Sequence, residues 1–514
     1  VTDDASPADL RLVPAAVTGW AVTAAGIHWQ TAAAVAAGCA GVLLTGVAAW
    51  WAAGRPPWRA VWPRAAAGLI AVAVVGAAFT VAVGVRTHQV QHHPVTAHYG
   101  TSAAVAVTPS DSPRALGGGR LMFRATLRTV DGRPMRGRVV VFASMSGYAE
   151  VSAGRPAAFR AEIGRPDRRD LTVAVLSAAD RPVLGAAAPV QRIAHGVRTG
   201  FADAARVALP AEPAAMLPAL VLGDTSTVPG TVSDEFRDAG LTHLTAVSGA
   251  NVTIVCGAVL LSAALIGPRA AVLLAGLALI AFVVVVQPSA SVLRAAVMGA
   301  ITLVAMVAHR RRQAVPALAA SVLLLLIAAP ELAVDAGFAL SVVATAGLVV
   351  IAPVWSRRLV GRGWPKPAAD AVSVALAAQL VTAPLVAGIS GRLSVVSVLA
   401  NVAVAPVIPP ITVIGTAAAA LCPLWPAGAG LLIRFTGPPL WWLLQVADTA
   451  AALPGASVAV PSGGAGVAVV TAGGIAAVVA WRFRVTRRLV AAAGVCLLAW
   501  WLSGHAAASG VGPT

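Results

Sequence analysis

Residues 240–252 read Gly-Leu-Thr-His-Leu-Thr-Ala-Val-Ser-Gly-Ala-Asn-Val, a cluster of small and polar side chains opening an apolar run. On a helix, Thr245, Ser248 and Asn251 stand at i, i+3 and i+6 and fall within roughly 120° of arc. Gly249 adds a place of close approach, and His243 lies at the mouth of the run. Such a stripe either glues helices together, as membrane bundles do routinely, or lines a wet path. Arg294 lies about one turn inside the run 291–308, where a cation costs on the order of 2.5–3.5 kcal/mol at mid-depth. It either snorkels to the near interface or faces water, where it would attract phosphate. Asp448 stands three residues after Gln445 in the run 429–453 and is a candidate partner for Arg294. Gln379 and Asn401 lie mid-run, near Pro384 and Pro406, as interhelical amides or as the lining of a cavity. Asp224 follows Gly223 in a polar loop and is placed to cap the next segment.

The elements that must hold these side chains are membrane helices. Of 514 residues, 58% are hydrophobic and 11% charged, with mean hydropathy +0.82. A soluble domain carries about 25% charge, so this chain cannot cover a water-facing surface. Its apolar runs are unbroken rather than alternating, which favours helices over a membrane barrel. Runs at 12–29, 31–51 and 65–85 open the chain, and spans are expected at 243–266, 270–286, 291–308, 315–329, 335–355, 370–389, 394–421, 429–453, 464–481 and 489–503, about 13 in all. Pro406, Pro409 and Pro410 interrupt run 394–421 and predict a broken helix, tolerated where neighbours or water satisfy the freed backbone. The formal charge is +17. Basic clusters at 54–64, 309–312, 357–366 and 482–488 predict cytoplasmic loops, which puts the N-terminus in the cytoplasm and Glu331 and Asp335 on the opposite face.

Residues 86–200 differ in character. Short strands are expected at Ala103–Thr108, Arg120–Val130, Arg138–Ser144, Ala157–Ile163 and Leu171–Ser177, punctuated by Gly117-Gly118-Gly119, Asp131-Gly132 and Gly164-Arg165-Pro166. That number of strands suits a small barrel such as an OB-fold. Residues 100–200 hold 15 Arg against 7 Asp+Glu. Four histidines, His88, His92, His93 and His98, precede the barrel without a carboxylate or cysteine beside them and read as a solvated linker. Cys39, Cys256, Cys422 and Cys496 all lie in apolar segments, so neither a disulfide framework nor a zinc site is expected. The fold expected is thus a polytopic α-helical membrane protein with an inserted OB-like β-barrel outside the cytoplasm. Its divisions are a three-span region (1–85), the barrel (86–200), an amphipathic connector (201–240), a helical core (241–455) and C-terminal helices with a tail (456–514).

Several stretches carry a resemblance. Gly240 to Val252 is close to G-L-T-H-L-L-A-(I/V)-S-G-L-H-V; Pro288-Ser289 with Arg294-Ala295 is like P-S-x-x-R-A; Gly337-Phe338-Ala339-Leu340-Ser341 is like G-F-Q-L-S. Ala378-Gln379-Leu380 to Pro384, then Leu399-Ala400-Asn401 and Pro406, follow in order, and Leu220-Val221-Leu222-Gly223-Asp224 precedes them. In residues, order and spacing the chain resembles the ComEC family of competence proteins. Asn251 stands where many members have histidine, and Ala339 where glutamine is usual. No H-x-H-x-D-H run occurs, so the metallo-β-lactamase-like domain of some members is not expected.

The resemblance implies a channel subunit that moves single-stranded DNA into the cytoplasm, working with membrane lipids, DNA-receptor and ATPase competence proteins, and a second copy of the chain. No G-x-x-x-x-G-K-[ST] loop or acid–base set occurs, so no cofactor and no enzymatic activity are expected. The path would include Asp224, His243, Thr245, Ser248, Gly249, Asn251, Arg294, Gln379, Asn401 and Asp448. On the barrel, Arg120, Arg124, Arg128, Arg136 and Arg138 are the candidate DNA contacts, with Phe123, Phe142, Tyr148 and Phe159 as stacking candidates. A transporter of another polyanion or small solute, or a competence relic without uptake, remain as alternatives.

Overall fold

A computed structural model of the chain describes residues 9–29, 62–148, 150–287, 289–308, 313–480 and 483. Helices α1 (Val13–Trp29) and α2 (Trp62–Gln91) run parallel, Gly19 lying against Phe79 and Gly26 against Val83. The apolar run 31–51 and the basic loop 54–61 lie outside the described residues. At the end of α2, His93 holds the chain in two directions. Its Nδ1 accepts the Val95 N–H at 3.2 Å, which leaves Nε2 as the donor to the Arg136 carbonyl at 3.0 Å. His88 and His92 stack with ring centroids 4.1 Å apart. His93 therefore joins helix to barrel, while His88 and His92 are exposed, in keeping with a solvated segment.

The inserted domain comprises β1 (Ser102–Pro109), β2 (Arg114–Gly117), β3 (Arg120–Val130), β4 (Arg133–Ser144), the short helix α3 (Met145–Tyr148), β5 (Ala157–Gly164), β6 (Ala174–Ala178) and β7 (Val183–Leu184). β1 pairs with β3, β3 with β4, β4 in parallel with β6, β6 with β5, and β5 again with β1, closing a small five-strand barrel. The two short strands absent from the sequence reading, β2 and β7, sit on its margins against β3 and β5. Alternation places Leu121, Phe123, Ala125 and Leu127 inside and Arg120, Arg124 and Arg128 outside. The β3–β4 hairpin turns on Asp131-Gly132, both at positive φ (45° and 77°), the backbone hand that matches strand twist.

The rest is helical: α4 (Pro189–Ala208), α5 (Ala211–Leu222), α6 (Gly230–Asp238), α7 (Gly249–Ala263), α8 (Pro268–Val286), α9 (Ala290–Val307), α10 (Ala314–Ala328), α11 (Ala336–Val350), α12 (Ala352–Val360) and α13 (Lys366–Ser390). After β8 (Arg392–Ser394) come α14 (Ser397–Val404), α15 (Ile408–Leu421), α16 (Pro426–Phe435), α17 (Gly437–Ala451), β9 (Ser457–Ala459) and α18 (Gly463–Ala480). Among the described residues, six helical segments are long and apolar enough to cross a membrane, seven with α14 and α15 counted as one span. That pair is bent by 55°, where the prolines were expected to break it.

Among the described residues the thirteen expected spans are not all found. Run 489–503 lies outside the described residues, as does 31–51. Runs 243–266 and 315–329 yield 15-residue helices, about 22 Å long against a hydrocarbon layer of about 30 Å. Run 429–453 divides at Thr436 into α16 and α17. The connector also differs from a surface helix. Ala214–Leu222 of α5 are all buried, in one core with Phe201, Phe236, Val252, Ile411 and Ile433.

The barrel is docked on the helices by polar contacts. Arg124 reaches Asp335 (3.4 Å) and Arg138 pairs with Glu331, both in the α10–α11 connection. Ser112 Oγ donates to Gln287 Oε1 at 2.9 Å, and Arg169 donates to the His28 carbonyl at 2.9 Å. Barrel and acidic loop thus lie against each other on the helical body.

Candidate functional site

α7 begins at Gly249, not at 243, so Thr245 lies outside it and the expected single stripe does not form. Residues Thr242–Leu244 make a 3-10 turn that leaves His243 exposed, and Thr245 Oγ1 donates back to the Thr242 carbonyl at 2.8 Å. Ser248 occupies the N-cap position without capping: its hydroxyl turns to Asn251 Oδ1 at 3.3 Å. Asn251 is buried, and its Nδ2 donates to the Leu220 carbonyl at 3.0 Å, tying α7 to the end of α5. A hydrogen bond of this kind serves as interhelical glue.

Behind that turn, three of the motif segments meet. Arg294 on α9 is 5% exposed. Its Nε donates to Ser341 Oγ on α11 at 2.8 Å, and Nη1 lies 3.1 Å from Met298 Sδ. A Cβ added to Gly249 would stand 3.0 Å from Arg294 Nη2 and 3.4 Å from Ala295 Cβ, so the glycine is what lets the guanidinium approach the helix end. The expected partner is elsewhere: Asp448 is exposed on α17 and its charge bears on Glu235 of α6. Burial, then Asp448 and Glu212, raise the Glu235 carboxyl above its ordinary value. Among the described residues Arg294 has no carboxylate partner.

Gln379 and Asn401 are brought together by Ser397, a residue the sequence reading did not single out. Ser397 Oγ donates to Gln379 Oε1 (3.1 Å), and Asn401 Nδ2 donates to the Ser397 carbonyl (2.8 Å). Gln379 Nε2 also reaches the Ser394 carbonyl at 3.3 Å. Ser394 Oγ then donates to the Asp238 carbonyl (2.7 Å), while Arg392 and Ser457 donate to Asp238 Oδ1 (2.9 and 3.0 Å). This network holds the entry of the bent pair α14–α15 against α6. Gly240, at φ 72°, lets the chain leave α6 so closely that a Cβ would stand 2.5 Å from Ser397 Cβ. In α15, Pro409 and Pro410 fall in the first turn, where a missing N–H costs no helical bond.

Asp224 does not cap the next helix. Its Oδ1 accepts from Ser226 N (3.2 Å) and Oγ (2.6 Å), closing its own loop, and Oδ2 lies 3.5 Å from Arg198 Nη2. Arg198 was missed. It is 8% exposed on α4, and its Nη1 also donates to the Leu222, Val285 and Val286 carbonyls at 3.0, 3.2 and 3.3 Å. These are the C-terminal ends of α5 and α8, where a cation is favoured by the helix dipole. Burial pushes the guanidinium below its ordinary range and Asp224 opposes the shift. The signal was present: Ala194, Arg198, Phe201 and Ala205 form one helical face of α4, an arginine within an otherwise apolar stripe.

On the barrel, Arg124 and Arg138 are engaged with the helical body, so they are docking residues rather than free contacts. Arg120, Arg128 and Arg136 are exposed. Arg120 lies 5.8 Å from the centre of the half-buried Phe142 ring, and Arg128 Nε donates to Thr108 Oγ1 at 3.1 Å. Phe123, Tyr148 and Phe159 are core residues, not stacking platforms. A groove of about 300 Å³ beside β1, β5 and β7 is lined in part by Arg160 and Arg181, neither of them anticipated.

No curated protein and no solved structure matches the chain. The family model described as Competence protein matches residues 220–485, over half of the chain and spanning Asn251, Arg294, Ser341, Gln379 and Asn401. With apolar helices long enough to cross a membrane and with that match over α6 to α18, the chain belongs to the competence protein family.

Proposed function

We propose that this competence protein is a membrane channel subunit that passes single-stranded DNA into the cytoplasm during natural transformation. The observation that carries the reading is the bent pair α14–α15, whose entry is held by the Gln379–Ser397–Asn401 network within the competence match. A helix broken at membrane depth is tolerated where it is buried in protein or lines a wet cavity. The barrel's order of strands, with β4 parallel to β6 in a closed five-strand ring, fits an OB-fold. Its exposed Arg120, Arg128 and Arg136 would hold phosphates electrostatically, on the extracytoplasmic side. The acidic α10–α11 loop on the barrel side supports that placement through the positive-inside rule, with the N-terminus cytoplasmic and the protein in the plasma membrane.

In this reading the chain conducts and does no chemistry on the strand. Receptor proteins would deliver DNA, and an ATPase or cytoplasmic strand-binding proteins would pull it. Uptake of labelled DNA by a deletion strain, complemented with the wild-type gene or with Asn251→Leu, tests the function. Restoration by wild type and loss with Asn251→Leu is the expected result. Unchanged transformation in the deletion strain would replace this reading with a transporter of another polyanion or solute, or with a relic.

A further inference from the structure

The first turn of α7 has an unusual electrostatic setting. Neither the Gly249 N–H nor the Ala250 N–H has an acceptor among the described residues, and the N-cap Ser248 hydroxyl is turned away toward Asn251. The positive end of a 15-residue helix is thus uncapped. Against it lies Arg294, more than nine-tenths buried, with Nη2 3.0 Å from where a Gly249 Cβ would stand, so that a side chain there would push the guanidinium aside. Ser341 Oγ and Met298 Sδ take the hydrogens on Nε and Nη1 but bring no negative charge; Nη2 has no acceptor among the described residues. Among the described residues two positive elements meet with nothing anionic between them, an arrangement that favours an anion joining it. The turn is open on one side, where Ala246, Ala250 and Thr253 are exposed.

We propose that the first turn of α7, Arg294 and Ser341 form a binding site for a phosphodiester anion. Backbone amides at a helix start and a guanidinium fork are the donors that phosphate oxygens take. Where the anion is the backbone of a passing strand, the site rests on the channel reading above and makes Arg294 a station on the path. An anionic lipid headgroup offers the same chemistry.

The test uses the full chain in nanodiscs of phosphatidylcholine, with a thymidine dinucleotide as a probe carrying a single phosphodiester. A ligand that binds only the folded state raises the melting temperature with its concentration. At matched ionic strength, wild type and the surface variant Arg206→Gln, whose arginine pairs among the described residues only with Asp203 on the exposed face of α4, are expected to show that rise. Arg294→Gln and Gly249→Ala are expected to need roughly tenfold more probe for the same rise, one by removing charge and the other by displacing it. Alanine favours helix over glycine, so Gly249→Ala keeps the fold should Arg294→Gln not. In nanodiscs with phosphatidylglycerol, mass spectrometry reads whether wild type retains that lipid and Arg294→Gln does not; such retention supports the site and names a headgroup as its occupant. Wild type that shows neither a probe-dependent rise nor retained phosphatidylglycerol overturns the site, as do variants that respond like wild type. A rise in wild type combined with full DNA uptake by Arg294→Gln leaves the site standing and removes it from the strand's path. Neither a rise nor retained phosphatidylglycerol, with uptake lost in Arg294→Gln, overturns the site and leaves the channel reading.

Discussion

Two arginines in the helical body are buried to nearly the same degree, Arg198 at 8% exposure and Arg294 at 5%, yet their surroundings differ in kind. Arg198 faces a carboxylate and three carbonyls at two helix C-termini, so every neighbour opposes its charge. Arg294 faces a hydroxyl, a thioether and the N-terminal end of a helix, so nothing among the described residues does. Burial alone therefore does not separate structural glue from a functional cation; the sign of the neighbouring groups does. Arg198 belongs to the architecture that holds α5 and α8 at the Asp224 loop, whereas Arg294 carries the anion site proposed above.

The largest expected effect breaks the comparison at its structural end. Arg198→Ala strands three buried carbonyls and Asp224, and should destabilise the protein by about 3–5 kcal/mol. Thermal unfolding in detergent reads this as a large drop in melting temperature; little change would erase the contrast. The second effect sharpens the other end. Arg294→Met removes an uncompensated buried charge and fills its volume, so the melting temperature should hold or rise, while transformation falls roughly tenfold or more. A melting temperature that falls as far as in Arg198→Ala would make Arg294 structural too.

The smallest effect concerns the ion pairs between barrel and body. Arg124–Asp335 and Arg138–Glu331 are partly exposed, and such pairs contribute about 0.2–1 kcal/mol each. Asp335 also caps α11 by accepting the Phe338 N–H at 2.8 Å, so Asn is the substitution that keeps the cap. The double variant Glu331→Gln with Asp335→Asn should leave the melting temperature nearly unchanged and increase protease cleavage at the barrel boundary at low salt, the difference from wild type closing as salt screens the wild-type pairs. Cleavage equal to wild type at every salt concentration would show that the pairs do not hold the barrel.

Much of the barrel was legible because strand alternation is local. From Leu121 to Leu127 every second residue is apolar and inside, and after a register shift Val130 resumes the buried side. The break in α14–α15 was legible for the same reason, since proline acts on its own backbone. The start of α7 was not, because the small and polar residues of Thr242–Ser248 fit a helical stripe as well as a turn, and composition does not register a 3-10 turn. Nor were the docking roles of Arg124 and Arg138, whose partners lie about two hundred residues away in sequence. The cost of placing Arg294 in an apolar run could be read from the sequence, but the absence of a counter-charge is a property of space.

The most direct test places a thiol on the open side of the α7 turn. In a chain with Cys39, Cys256, Cys422 and Cys496 replaced by serine, Ala250→Cys puts a reactive group beside Gly249. The account predicts that a bulky thiol reagent labels this position in living cells, that labelling stops DNA uptake, and that DNA in transit slows the labelling. Full uptake by labelled cells would contradict it.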